Sequence, residues 1–171
     1  MCEIDEPQQP GDVRLLRSRD PNRSIVHHAR TILVIEDDAE MRRLIAHTLE
    51  RAGYAVVTAR SGSEAVAWLG LCVFDGSLAN VPALIVSDIR LPDFSGLDLL
   101  EVMISALEDV PMVLITGFPS RETYAEAFEL GAVRVLSKPF EFEDLLSAVR
   151  SVLSERTDAS SHGVGVRAQR A

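Results

Sequence analysis

Thr31-Ile32-Leu33-Val34-Ile35-Glu36-Asp37-Asp38 passes from an almost unbroken apolar run straight into three carboxylates. A strand that is apolar at every position is buried on both faces, as in a parallel sheet covered by helices on each side. Outward from this stretch the same unit recurs. A helix is predicted from Ala39 to Ala52, with Met41, Leu44, Ile45, Thr48 and Leu49 on one face and Gly53 as its stop. Strand two covers Tyr54 to Ala59, and Ser61 caps a helix bearing Ala65, Val66, Trp68 and Leu69. Strand three is Ala83 to Ser87, followed by a helix from Gly96 to Leu107. Strand four is Met112 to Ile115, followed by a helix capped by Ser120 and ending at Gly131. Strand five is Val133 to Leu136, and the last helix carries Phe142, Leu145, Leu146, Val149, Val152 and Leu153 at helical spacing. Short apolar runs alternating with helix-period segments specify an α/β fold with a parallel sheet.

The 171 residues suffice for one domain with a sizeable core. Residues 1–30 and 156–171 lack apolar periodicity and read as mobile extensions around a domain at 31–155. The connection from Gly70 to Pro82 is longer than the ~2 to 6 residues usual there. Its Leu71 to Phe74 is expected to prolong the second helix and extend the core. His27 and His28 read as solvated linker, His47 with Arg42 and Arg43 as an ordinary exposed face, and Trp68 as a core anchor.

Charge is uneven. Residues 31–153 hold nine basic and nineteen acidic side chains, whereas the two ends are close to neutral. An acidic domain argues against direct nucleic-acid binding, which draws its affinity from cationic neutralisation of phosphates. No stretch approaches the ~18 apolar residues of a membrane span, and the acidic amino terminus lacks a signal region, so the expected compartment is the cytoplasm. Cys2 and Cys72 match no ligand spacing or disulfide framework and read as free thiols.

In an open parallel sheet, ligands gather outside the carboxyl ends of the strands. There the predicted strands end in Glu36-Asp37-Asp38, Asp88, Thr116 and Lys138. Clustered carboxylates repel one another unless a cation neutralises them, and Mg2+, which takes one or two carboxylates and completes its shell with water and phosphate oxygens, suits Glu36, Asp37 and Asp88. Asp38 also suits the N-cap of the first helix. A carboxylate beside a metal can accept a phosphoryl group as a nucleophile. Asp88 is the candidate, with Thr116 donating to one phosphoryl oxygen and Lys138 neutralising another. Lys138 is the single lysine among sixteen arginines, and an ammonium is a compact point charge where guanidinium is a planar fork.

In combination, Ile32–Asp38, Ser87-Asp88-Ile89-Arg90-Leu91-Pro92-Asp93-Phe94-Ser95-Gly96, Leu114-Ile115-Thr116-Gly117 and Ser137-Lys138-Pro139-Phe140 closely resemble the receiver domain of bacterial two-component response regulators. The resemblance implies a flavodoxin-like, doubly wound sheet of strand order 2-1-3-4-5 with five helices. It implies Glu36 and Asp37 as the acidic metal pair, Asp88 as phosphoacceptor, Thr116 as switch hydroxyl, Lys138 as phosphoryl-binding lysine, Mg2+ as cofactor, and a sensor histidine kinase or phosphotransfer protein as donor. It further implies a cis Lys138–Pro139 bond. Arg90 and Phe118 fall where the family tunes loss of the phosphoryl group. The sequence departs from the family where the switch aromatic of strand five is expected, at Val135.

Ser154 to Ala171 has neither the length nor the periodicity of a helix-turn-helix effector, which points to a stand-alone receiver. Its signal then leaves through a protein partner at the face of the last two helices and strand five, through a second phosphotransfer in a phosphorelay, or through a phosphorylation-dependent homodimer. Such a module is not an enzyme beyond its own phosphorylation and dephosphorylation. An aspartyl-nucleophile phosphohydrolase of the haloacid dehalogenase type wants a general-acid carboxylate two residues after the nucleophile, where this chain has Arg90. A nucleotide-binding Rossmann-like domain lacks its glycine-rich loop. A receiver-like protein that binds partners without phosphorylation is the remaining alternative.

Overall fold

A computed structural model describes residues 30–74, 81–107 and 110–161. The remaining residues, including most of both extensions, His27, His28 and the centre of the Gly70–Pro82 connection, lie outside the described residues. The elements run β1 (Thr31–Ile35), α1 (Ala39–Arg51), β2 (Ala55–Ala59), α2 (Gly62–Phe74), β3 (Leu84–Asp88), α3 (Gly96–Ala106), β4 (Met112–Thr116), α4 (Arg121–Glu129), β5 (Arg134–Ser137) and α5 (Phe142–Ser161). All strand pairs are parallel and the sheet order is β2-β1-β3-β4-β5, the doubly wound topology that the sequence implies.

The two-sided burial of β1 divides its residues between two cores. Ile32 and Val34 pack with Ile45 and Leu49 of α1 and Leu145 and Val149 of α5. Leu33 and Ile35 face the other way, against Ala65 and Leu69 of α2, Leu99, Leu100 and Met103 of α3, and Ala127 of α4. This alternation is the period-2 side-chain rule of a strand, with helices on each side supplying the apolar partners. Fully burying one such Leu or Ile contributes about 1.5–3 kcal/mol.

Caps set the helix starts. Asp38 accepts from the N–H groups of Glu40 and Met41 at 2.9 and 2.7 Å, and the Met41 bond leads in holding its carboxyl below the usual range. Ser95 and Asp98 form a reciprocal capping box at α3, and Ser120 caps α4. Gly96 is needed where α3 passes β3, because a Cβ there would stand 2.4 Å from the Asp88 carbonyl oxygen.

Several expectations change in the folded chain. Leu44 fits the apolar period of α1 yet is 45% exposed, since only Ile45, Ala46 and Leu49 of that helix are buried. On α2, Val66 is outward and Trp68 is a partly buried flank of the core rather than its anchor. Leu71–Phe74 does prolong α2, but Cys72 is buried while Leu71 is 69% exposed, so core extension holds for one and not the other. α5 continues to Ser161, past residue 155 where apolar periodicity stops, because a packed helix propagates at one hydrogen bond per added residue. No helix among the described residues is long and apolar enough to cross a membrane.

Candidate functional site

β1 and β3 are adjacent, paired from Ile32↔Leu84 to Ile35↔Ser87, so both deliver acidic residues to one sheet edge. Glu36 is fixed there by its own N–H, which reaches the Ala59 carbonyl at 3.1 Å and extends the β1–β2 ladder by one residue. Its side chain is buried, as is Asp88, while Asp37 is exposed. One carboxylate oxygen from each of Glu36, Asp37 and Asp88 lies within 4.8 Å of the others.

Lys138 closes the cluster. The turn after β5 is held by the Lys138 N–H on the Thr116 carbonyl at 2.7 Å, and the Lys138–Pro139 peptide is cis. From there the ammonium donates to Glu36 Oε2 at 2.8 Å, more than half the chain away in sequence, and to Asp88 Oδ2. Burial alone would depress this ammonium, but the bonds and charges of Asp88 and Glu36 outweigh it and raise its pKa. At Glu36 burial prevails over the Lys138 hydrogen bond, and the carboxyl is pushed up. The other Asp88 oxygen, Oδ1, accepts from the Arg90 N–H at 2.7 Å.

Thr116 ends β4, buried between Asp88's neighbour and Ser137: its strand pairs Asp88↔Ile115 on one side and Thr116↔Ser137 on the other. Its hydroxyl accepts from the Phe118 N–H at 3.1 Å, so it stands at the edge of the lysine-centred network rather than within it. The five residues singled out from the sequence thus converge on one edge, four of them as a continuous cluster.

Three further features were not expected. The Arg90 guanidinium stacks 3.6 Å from the centroid of the Phe118 ring, joining the loops after β3 and β4. Asp93 accepts from the N–H groups of Gly62, Ser63 and Phe94 at 2.9, 2.8 and 2.8 Å and from the Ser63 hydroxyl, so the loop after β3 caps α2. Desolvation acts upward on this carboxyl, but the four donors hold it well below the usual range. Gly62 makes room for the clamp, since a Cβ there would meet Phe94 Cβ at 2.9 Å. Finally, Arg42 is no ordinary exposed arginine: its Nη1 donates to the carbonyls of Glu36 and Asp37 at 2.6 and 3.1 Å.

A sheet of this order, with a lysine-bridged acidic cluster at its carboxyl edge, defines the receiver class of α/β signalling modules. The family model "response regulator receiver domain" matches residues 32–150, and the chain belongs to that family. Among solved structures it is similar to a CheY-like receiver protein from Methanospirillum hungatei, with 27% identity and a TM-score of 0.66 over 77% of this chain and 98% of that one. CheY4 of Vibrio cholerae is 30% identical with a TM-score of 0.62, over 73% and 99%. A structure described as the BeF3-activated DrrB receiver domain is 25% identical with a TM-score of 0.62, over 74% and 98%. Among curated relatives, the acid tolerance regulatory protein ActR of Rhizobium meliloti is 32% identical over 75% of this chain and 62% of its own. The transport regulator DctD of the same organism is 31% identical over 75% of this chain and 26% of its own. The chain therefore spans between about a quarter and three-fifths of the length of these curated relatives.

Receiver domains are signalling modules of two-component systems. Histidine kinases or phosphotransfer proteins phosphorylate them, and they bind Mg2+ at an acidic pocket.

Proposed function

We propose that the chain accepts a phosphoryl group on Asp88 from a histidine kinase or phosphotransfer protein, with Glu36, Asp37 and Asp88 holding Mg2+, and signals by binding a protein partner in the cytoplasm. The observation that carries this reading is the position of Lys138, whose one ammonium bridges Glu36 and Asp88 beside the exposed carboxylate of Asp37. Three carboxylates against one ammonium leave a negative excess that a hard cation with oxygen ligands would satisfy, so the donor set fits Mg2+. When bound, that ion would offset charge between an incoming phosphoryl group and the carboxylates.

The remaining work falls to the chain. An Asp88 carboxylate oxygen bonds to phosphorus as the P–N bond to the donor imidazole breaks, and the imidazole takes up a proton. Lys138 gives up part of its hold on Asp88 to bind a phosphoryl oxygen, and the Thr116 hydroxyl, which accepts from the Phe118 N–H, donates its own proton to another. The domain at 31–155 supplies this chemistry, with residues 1–30 and 156–171 as extensions around it. Output is assigned to the face of α4, β5 and α5, where Phe128 is 52% exposed and every residue of β5 is at least partly open.

Incubation with Mg2+ and beryllofluoride, the activator of the DrrB receiver domain structure, should occupy the site in the wild type and not in Asp88→Asn. Occupancy that survives Asp88→Asn would remove Asp88 from its assigned role.

A further inference from the structure

We propose that Arg42 is a positioning residue for the divalent-ion site, holding the backbone on which Asp37 is presented; this rests on the reading of Glu36, Asp37 and Asp88 as the metal-holding set. Glu36 and Asp38 are each fixed by other means. The Glu36 N–H is tied to the Ala59 carbonyl, and the Asp38 carboxylate is tied to the first turn of α1 through Glu40 and Met41. Asp37 lies between them on an exposed bend. Among the described residues, the group that takes its carbonyl is the Arg42 guanidinium, which from the second turn of α1 reaches back past the helix start and also takes the carbonyl of Glu36.

One nitrogen with two N–H bonds thus fixes the carbonyls of the two peptides on either side of the Asp37 Cα. The direction in which the Asp37 carboxylate leaves the backbone depends on how those two peptides are oriented. Partners that hold a ligand's own anchor, without touching the ion, set metal affinity by sparing the ligand the cost of ordering. A guanidinium beside the pocket also repels a divalent cation. Charge alone therefore predicts tighter binding when Arg42 is removed, and positioning predicts weaker binding, so the sign of the change separates the two.

Arg43 is the built-in control. It carries the same charge one residue along and donates from Nε to the Ala39 carbonyl of its own helix at 2.9 Å. In calorimetric titration of the full chain with MgCl2 and no phosphodonor, Arg42→Ala should weaken Mg2+ binding about ten-fold. Arg42→Lys, which keeps a donor and the charge, should recover part of that loss. Arg43→Ala should stay within about two-fold of the wild type, as for an exposed charge. Far-UV circular dichroism checks that each variant is folded, and Arg42→Gln carries the comparison should the alanine variant not fold. Binding by Arg42→Ala as tight as or tighter than the wild type, or an equal loss in Arg43→Ala, overturns the positioning role. A wild type that binds no Mg2+ overturns the metal-site reading itself, and the role of Arg42 falls with it.

Discussion

β3 and β5 lie on opposite sides of β4, and they differ in how firmly they are held. Every residue of β3 from Leu84 to Asp88 is buried, and its end is fixed further by the Asp88 carbonyl against Gly96, the Arg90 N–H on Asp88 Oδ1, and the Asp93 clamp on α2. β5 is an edge strand with Arg134 exposed and the rest only partly covered, and the helix before it, α4, buries Ala127 alone among its described residues. The strand that carries the proposed phosphoacceptor is over-determined. The strand that leads to the lysine pairs with β4 alone, and the lysine after it is held by its own ion pairs. A group that must not move is thus placed at the centre of the sheet, and the groups assigned to report its state lie at the edge, where local rearrangement costs least.

Lys138 spans the two regions, so its removal should have the largest effect. Lys138→Met leaves Glu36 and Asp88 buried without their cation and should cost about 3 kcal/mol at neutral pH. The deficit should shrink on acidification. Burial already raises the Glu36 carboxyl, so its contribution to stability is complete below the unfolded pKa and is lost as pH rises through the raised folded value. Without Lys138 that folded value rises further, and the neutral-pH penalty deepens. Urea unfolding at pH 7 and pH 5 measures this, and an equal deficit at both would detach Glu36 from the lysine. Next in size is the cation. Mg2+ at ten times its Kd should stabilise the wild type by about 1.4 kcal/mol. Asp37→Ala should lose most of that gain in a thermal melt, and an undiminished gain would place the ion elsewhere.

The central half of this contrast was legible in the sequence because strand ends convert distant positions into neighbours. Once Ile35, Ser87, Ile115 and Leu136 are read as ends of parallel strands, Glu36, Asp88, Thr116 and Lys138 must share an edge. What could not be read were contacts that cross between elements or turn back along one. Arg42 falls among exposed residues by helical periodicity, because that periodicity does not show a long side chain reaching back over the helix start. Asp93 looks like an ordinary turn residue, and nothing nearby announces that its donors lie at Gly62 and Ser63, some thirty residues earlier. Leu44 obeys the apolar period of α1, but the buried face of that helix is Ile45, Ala46 and Leu49, and Leu44 stands outside it.

The Asp93 clamp offers a smaller effect with a different pH signature. Asp93→Ala removes a cap from α2 and should cost about 1 kcal/mol, with faster hydrogen exchange at the Gly62 and Ser63 amides. Because the Asp93 carboxyl is depressed, its contribution is present above the ordinary unfolded aspartate pKa and is lost only as pH falls toward the folded value. The deficit should therefore be the same at pH 7 and pH 5, unlike that of Lys138→Met. A pH-dependent deficit in this range would mean that Asp93 is coupled to the acidic cluster and does not act on α2 alone.

The smallest effect belongs to the edge region, and there the informative result is a lack of change. Phe128 is half exposed on α4 and lies outside both packed cores, so Phe128→Ser should alter stability by less than about 0.5 kcal/mol. It should also leave Mg2+-dependent beryllofluoride occupancy at Asp88 unchanged, read by fluorine NMR. The reason is structural: Val135 takes the place where the receiver resemblance expects an aromatic, so no ring on β5 links the α4 surface to the Thr116 hydroxyl. Reduced occupancy in Phe128→Ser would show that α4 packing reaches the phosphoryl site without that aromatic. The loosely held side of the sheet would then be part of the chemistry as well as its output.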